Sequence, residues 1–188
     1  MEIRGYRSGD ETDIIFAYQE AFNGFPWFNS LSCQEAGAIW QSQSGLSGFE
    51  CIVAVESGKV VGATWWDTPT ADDLAKERGT ELAAFVAGFP AMMAVWLRET
   101  LVHPKFHGQG IARTLKEAAF QALSRKQQPL LLLTRMRDDN TAIVKINSSL
   151  GMRKTGIRVA SQHHPGVMHD YWYVVLNEIS QLREGEDE

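Results

Sequence analysis

Residues 94–134 constrain the fold more than any other part of the chain. An apolar strand over residues 94–102 stops at Pro104, a loop carrying Gly108 and Gly110 follows, and Ile111, Leu115, Ala118, Ala119 and Ala122 then recur on one face of a helix. Residues 130–134 close the unit as a continuous apolar run of the kind buried on both faces of a sheet. A strand, loop, helix and strand in that order imply a mixed sheet with helices on both faces.

The flanking segments extend that sheet. Residues 3–6 read as a short strand, and Asp10 can cap a helix in which Ile14, Ile15, Tyr18 and Phe22 recur at helical spacing. Gly24 and Pro26 end it, and Ser32 opens a second helix through Gln34, Ile39 and Trp40. Residues 49–56 and 59–66 are β-branched and aromatic around Ser57-Gly58, which predicts a hairpin. Residues 71–88 read as an inserted helical segment with Leu74, Leu82, Phe85 and Val86 on its apolar side and Gly79 as a point of division. Residues 140–150 return to helix before Gly151, and residues 157–162 and 171–176 form a last pair of strands. The loop between those two strands holds His163, His164, Pro165, Gly166 and His169.

Composition narrows the function. A chain of 188 residues with 44% hydrophobic and 22% charged residues fits one globular domain, residues 1–183, with residues 184–188 as an acidic solvated tail. No apolar run approaches the roughly 18 residues that a membrane span requires, so no membrane partner is expected. The first residues lack the apolar core of a secretory signal, and a cytoplasmic location is expected. A net charge of -5 offers no general attraction to phosphate backbones, which argues against nucleic acid as a partner. Cys33 and Cys51 sit in no CxxC or Cys/His cluster; both read as core filler, and no metal is expected.

The two glycines between strand end and helix start expose several backbone amides together. Glycine allows a close ligand approach, and free N–H groups at a helix N-terminus suit a phosphate or pyrophosphate. A helix-entry loop with no ligand is the competing reading. No GxxxxGK[ST] is present, and Gly108-Gln109-Gly110 lacks the third small residue of a dinucleotide fingerprint.

Val102-His103-Pro104-Lys105-Phe106-His107-Gly108-Gln109-Gly110-Ile111-Ala112 resembles the cofactor motif of the Gcn5-related N-acetyltransferases. There Arg or Gln, two residues, Gly, one residue and Gly or Ala follow a Val-x-Pro strand end, with Lys105 here in the Arg or Gln place. The family's second motif, Asn, a helix and then Gly-Phe, is matched by Asn140, Ile143, Ile146, Gly151 and Met152. The resemblance covers residues 95–152. It implies an α/β fold with a mixed, mostly antiparallel sheet of six to seven strands flanked by helices, and a helical insertion before the cofactor strand. It also implies acetyl-coenzyme A as co-substrate and an amine of a small molecule or peptide as acceptor. A homodimer is possible, since dimers occur among relatives. The loop from Lys105 through His107, Gly108, Gln109, Gly110, Ile111 and Ala112 to Arg113 would hold the pyrophosphate end. Leu101 and Val102 would pair with the pantetheine through their backbones, and Asn140 and Ile143 would flank it from the other side.

For the transfer itself, Glu99 is the candidate base, because an alkylamine with a pKa of about 10 must lose its proton before attack. Its competing reading is a surface glutamate paired with Arg98. As an ordinary carboxylate it would be missed most at low pH, where free amine is scarce. Asn147 stands where the family has a tyrosine that protonates the leaving thiolate. Its amide can donate a hydrogen bond but has no titrating proton, so either it polarises the sulfur or another group or a water supplies the proton. Its competing reading is a helix residue that faces solvent, and a module that binds coenzyme A without transferring anything is the alternative function. Trp27, Phe28, Trp65 and Trp66 read as core or pocket wall.

Overall fold

The computed structural model describes residues 1–25, 27–161 and 164–177, and among these seven strands form one sheet. They are β1 (Glu2–Gly5), β2 (Glu50–Glu56), β3 (Lys59–Asp67), β4 (Met93–Val102), β5 (Leu130–Arg137), β6 (Arg153–Ala160) and β7 (Met168–Leu176). The spatial order is β1-β2-β3-β4-β5-β7-β6, and only β4 and β5 run parallel. The helices are α1 (Glu11–Asn23), α2 (Cys33–Ser44), α3 (Ala71–Arg78), α4 (Thr80–Ala87), α5 (Ile111–Ser124) and α6 (Thr141–Ser149). The fold is thus mixed α/β with a mostly antiparallel sheet.

Local chemistry explains the main boundaries. Ser57 and Gly58 both have positive φ, 51° and 78°, the conformation a two-residue hairpin turn requires. Ser32 and Glu35 close a reciprocal cap at the start of α2, and Thr70 and Asp73 do the same for α3. Gly79 divides the insertion into α3 and α4. The four leucines that open β5 are fully buried because each face of the strand has its own cover. Leu131 and Leu133 pack with Leu74 and Leu82 of the insertion, and Leu130 and Leu132 pack with Ala119 and Leu123 of α5. This gives the sheet two distinct faces, one under α1 to α4 and one under α5 and α6.

Several expectations change. Asp10 does not cap α1. It ends a 3-10 turn, and its carboxylate reaches back to the Arg7 N–H at 2.8 Å and the Arg4 guanidinium at 2.7 Å. β6 begins at Arg153, four residues before Ile157, because an edge strand exposed along one side carries polar residues that show no apolar alternation. His169 lies inside β7 rather than in the loop before it. Cys33 is exposed at the start of α2, whereas Cys51 is buried. Phe28 is 66% exposed, outside the core, whereas Trp65 and Trp66 are fully buried. Pro26, Gln162, His163 and the tail at residues 184–188 lie outside the described residues. Among those described, no helix is long and apolar enough to cross a membrane.

Candidate active site

β4 and β5 pair only from Met93 to Trp96 on one side and Leu130 to Leu133 on the other. Thr134 then donates its hydroxyl to the Leu97 carbonyl at 3.0 Å, and beyond that point the strands part. A cavity of about 600 Å³ opens in the gap, bordered by residues 98–102 of β4 and 134–137 of β5. The β3–β4 register shifts from Trp65↔Glu99 to Trp66↔Leu97, leaving Arg98 as the extra residue of a bulge. The bulge re-aims the strand so that Arg98 and Glu99 both border the cavity. At the far end of β4 the His103 amide donates to Val61 on the β3 side at 2.8 Å. Alternation along an antiparallel pair therefore turns the backbone groups of Val102 toward the gap.

The glycine loop folds back on this strand end. Pro104–Phe106 form a 3-10 turn, and His107 Nε2 meets the Val102 carbonyl at 2.8 Å, which occupies one of its lone pairs. Gly108 and Gly110 have φ of 77° and 78°, and a Cβ on either would meet no protein atom within 4 Å. Their requirement is thus a left-handed backbone beside open space, the form of a ligand cradle. The first helical bond of α5 runs from the Thr114 amide to the Gly110 carbonyl, so the preceding amides of Ile111, Ala112 and Arg113 have no partner inside the helix. These three residues and both glycines border the cavity, and Leu101 and Val102 form its β4 wall. Lys105 and Gln109 are exposed and do not border it, and Arg113 is also tied to Glu117 at 2.8 Å.

From the other side α6 presents Asn140, Ile143 and Asn147 to the cavity. The Asn140 carbonyl oxygen caps the helix by accepting from the Ile143 amide at 3.4 Å, leaving its NH₂ as the group free to face a ligand. Asn147 does not face solvent: it is fully buried, its NH₂ points at Met136 Sδ at 3.5 Å, and its oxygen has no partner.

Charge is distributed unevenly around the gap. Burial pushes the Glu99 carboxyl up to about 7, although Arg135, Arg78, Arg98 and Lys116 each pull it down. Among the described residues Glu99 has no ion-pair partner at contact distance. Arg98 instead forms a two-pronged pair with Asp67, at 2.7 and 2.8 Å, and reaches Glu77 at 3.1 Å. Lys116, only 2% exposed, also borders the cavity, and burial pulls its ammonium down to about 7 against the opposing effect of Glu99. The arginines and Lys116 escape a reading for motifs. The legible signal for Lys116 is a lysine within the buried stripe Leu115, Ala119 and Leu123 of α5. Trp27 joins the wall with the Arg137 guanidinium 4.8 Å above its ring. Among the described residues no group of three or more His, Cys, Asp or Glu is placed to hold a metal ion.

Residues 16–145 match the acetyltransferase (GNAT) family, and the chain belongs to it. Solved structures carry the same fold at low identity. A putative acetyltransferase from Salmonella typhimurium, solved with its cofactor acetyl-CoA, superposes with a TM-score of 0.69 at 20% identity, covering 100% of this chain and 98% of that one. A phosphinothricin acetyltransferase from Sinorhizobium meliloti in complex with acetyl-CoA gives 0.68 at 16% identity, covering 98% and 93%. The ribosomal-protein-S18-alanine N-acetyltransferase from Escherichia coli gives 0.67 at 16% identity, covering 100% and 97%. No curated protein sequence matches the chain.

Proposed function

We propose that this protein is an acetyl-CoA-dependent N-acetyltransferase in which a primary amine attacks the thioester directly in a ternary complex. The observation that carries the reading is one cavity that joins a positive-φ glycine cradle to a half-buried carboxyl with a raised pKa, through a gap of unpaired strand backbone. The open amides of Ile111, Ala112 and Arg113 suit the pyrophosphate, and the free backbone of β4 suits the pantetheine amides, as a sheet edge suits an added strand. The thioester supplies the acetyl group.

On the opposite side Glu99 takes a proton from the acceptor ammonium, and the free amine then attacks the thioester carbonyl. The N–C bond forms as the C–S bond breaks, and the Val102 N–H is the backbone donor nearest to hand for the developing oxyanion. Asn147 has no proton to give. Lys116 does, and it borders the cavity on the same face as α6, so we assign it the proton that the leaving thiolate takes. The acyl nitrogen still carries a surplus proton, which recharges Lys116, and the proton held by Glu99 passes to solvent, so two protons leave the ammonium for the one that the thiolate keeps. A cytoplasmic site of action fits a reaction that draws on acetyl-CoA.

The test is transfer of labelled acetyl from acetyl-CoA over a panel of amines, run beside direct titration of coenzyme A. Labelled N-acetyl product supports the reading. Tight coenzyme A binding with no product from any amine would mean a binding module instead. Spectroscopy of bound coenzyme A tests Lys116 separately. The ultraviolet absorbance of its thiolate should appear at lower pH in the wild type than in Lys116→Met, and an unchanged titration would remove Lys116 from the assignment.

A further inference from the structure

The cavity face under α1 to α4 gathers cations beside Glu99 in a protein of net charge -5. Strand alternation puts Arg135 and Arg137 of β5 on the same side as Leu131 and Leu133, and His169 of β7 on the same side as Tyr171. Arg78 closes the group from the end of α3, its guanidinium 5.0 Å from the centroid of the Trp96 ring. Two of these cations are matched. Arg98 is held by Asp67 and Glu77, and Arg137 is held by Asp139 at 2.6 Å.

Arg78 and Arg135 are not matched. Among the described residues Arg78 has a distant contact with Glu77, at 3.7 Å, and its buried Nε has no hydrogen-bond partner. Arg135 is exposed, borders the cavity, and forms no hydrogen bond or ion pair among the described residues. The crowding is felt nearby. Arg135 adds to burial in pulling Arg78 down, and burial together with Arg135 and Arg137 depresses His169 to about 4.

We propose that the unmatched guanidinium of Arg135, backed by Arg78, binds an anionic group of the acceptor, which makes the acceptor a small zwitterion of the amino-acid type. Its amine lies toward Glu99 and its carboxylate, or an equivalent oxyanion, lies on Arg135. The inference rests on the N-acetyltransferase reading and narrows its acceptor. An acceptor enters as an ammonium, and a simple ammonium would meet uncompensated like charge here. A carboxylate on the same molecule cancels that charge and makes charge-assisted hydrogen bonds to the guanidinium. A peptide N-terminus fits less well, because the carboxyl next to its amine is consumed in an amide.

The experiment compares each standard amino acid with its own C-terminal amide as acceptor, in wild type, Arg135→Gln and Arg135→Lys. In the wild type at least one free amino acid should exceed its amide by about tenfold or more in kcat/KM. Arg135→Gln should erase that preference by raising KM while kcat holds, and Arg135→Lys should restore part of it. Calorimetric titration of N-acetyl amino acids and N-acetyl amino-acid amides into the coenzyme A complex reads the same site without turnover. Acetylation that is indifferent to the carboxylate, or a preference that survives Arg135→Gln, overturns the inference while leaving the transferase reading intact. Absence of turnover with any amine sinks the transferase reading; the inference then stands or falls on whether N-acetyl amino acids bind better than their amides.

Discussion

The two faces of the gap between β4 and β5 are built from different materials. On the α5 and α6 face the surfaces offered are mostly main chain: two glycines, the first amides of α5 and the unpaired edge of β4. On the face under α1 to α4 they are side chains from three separated segments, Trp27, Glu99 and Arg135, with Arg78 acting on Glu99 from behind. Main chain can hold one fixed partner with few side-chain requirements, whereas a charged pocket can be re-specified residue by residue. The first arrangement suits a co-substrate that never changes, and the second suits an acceptor that does. Lys116 adds a buried titratable group to the main-chain face.

If that division is right, variants on the two faces fail in different ways. The largest effect should come from Glu99→Gln. It should lower kcat/KM by about 10² to 10⁴-fold above neutral pH and leave coenzyme A affinity unchanged. Because the Glu99 pKa is raised to about 7, the wild type itself lacks the ionised base below that pH, and the loss should shrink as pH falls through about 7. An ordinary carboxylate would show the opposite trend, so the pH–rate profile of the variant decides between the two.

Lys116→Met should follow, with a loss of about 10²-fold in kcat and disappearance of the alkaline limb near 7. Since Glu99 and Lys116 interact, the two limbs of the wild-type profile belong to the pair. The same variant should be more stable. The folded pKa of Lys116 lies below its ordinary 10.5, so the native state is penalised most below about 7, and the penalty fades as pH rises toward 10.5. Removing the buried amine should add on the order of 1 kcal/mol or more at neutral pH, read as a higher Tm.

Gly108→Val probes the main-chain face. A folded variant should bind coenzyme A about tenfold or more weakly by titration, since a β-branched residue strains a positive-φ position and intrudes on the cradle. Its acceptor preference should not move. An unchanged affinity would remove the loop from the site. The smallest effect should be Asn147→Ala, costing on the order of 1 kcal/mol in the barrier, under about tenfold in kcat. A loss of a hundredfold or more there, with coenzyme A affinity intact, would shift the proton-donor assignment away from Lys116.

The same contrast explains what could be read in advance. Gly108, Gly110 and Ile111 shape the loop through their own backbone, and the Asn140 side chain caps the helix that it precedes, so a contiguous stretch reports them. The Ser57-Gly58 turn, the break at Gly79 and the cap at Ser32 were legible for the same reason. β6 was hidden at its start because an exposed edge carries charge instead of alternation, and Asp10 was misread because the 3-10 turn before α1 gave its carboxylate a nearer amide.

Local patterning along the chain is enough to set the order of strands and helices, the doubly buried β5 and the glycine loop at the start of α5. Tertiary packing sets where β4 and β5 part, how a bulge at Arg98 turns Glu99 into the gap, and how Arg135 comes to stand beside it with no ion pair among the described residues. It also decided that Glu99 and Lys116 lie in surroundings that move both toward neutrality. The physical reason is range. Turn, cap and helix preferences are set by neighbours in the chain, but desolvation and charge crowding depend on which distant segments the sheet places within a few ångströms of one another.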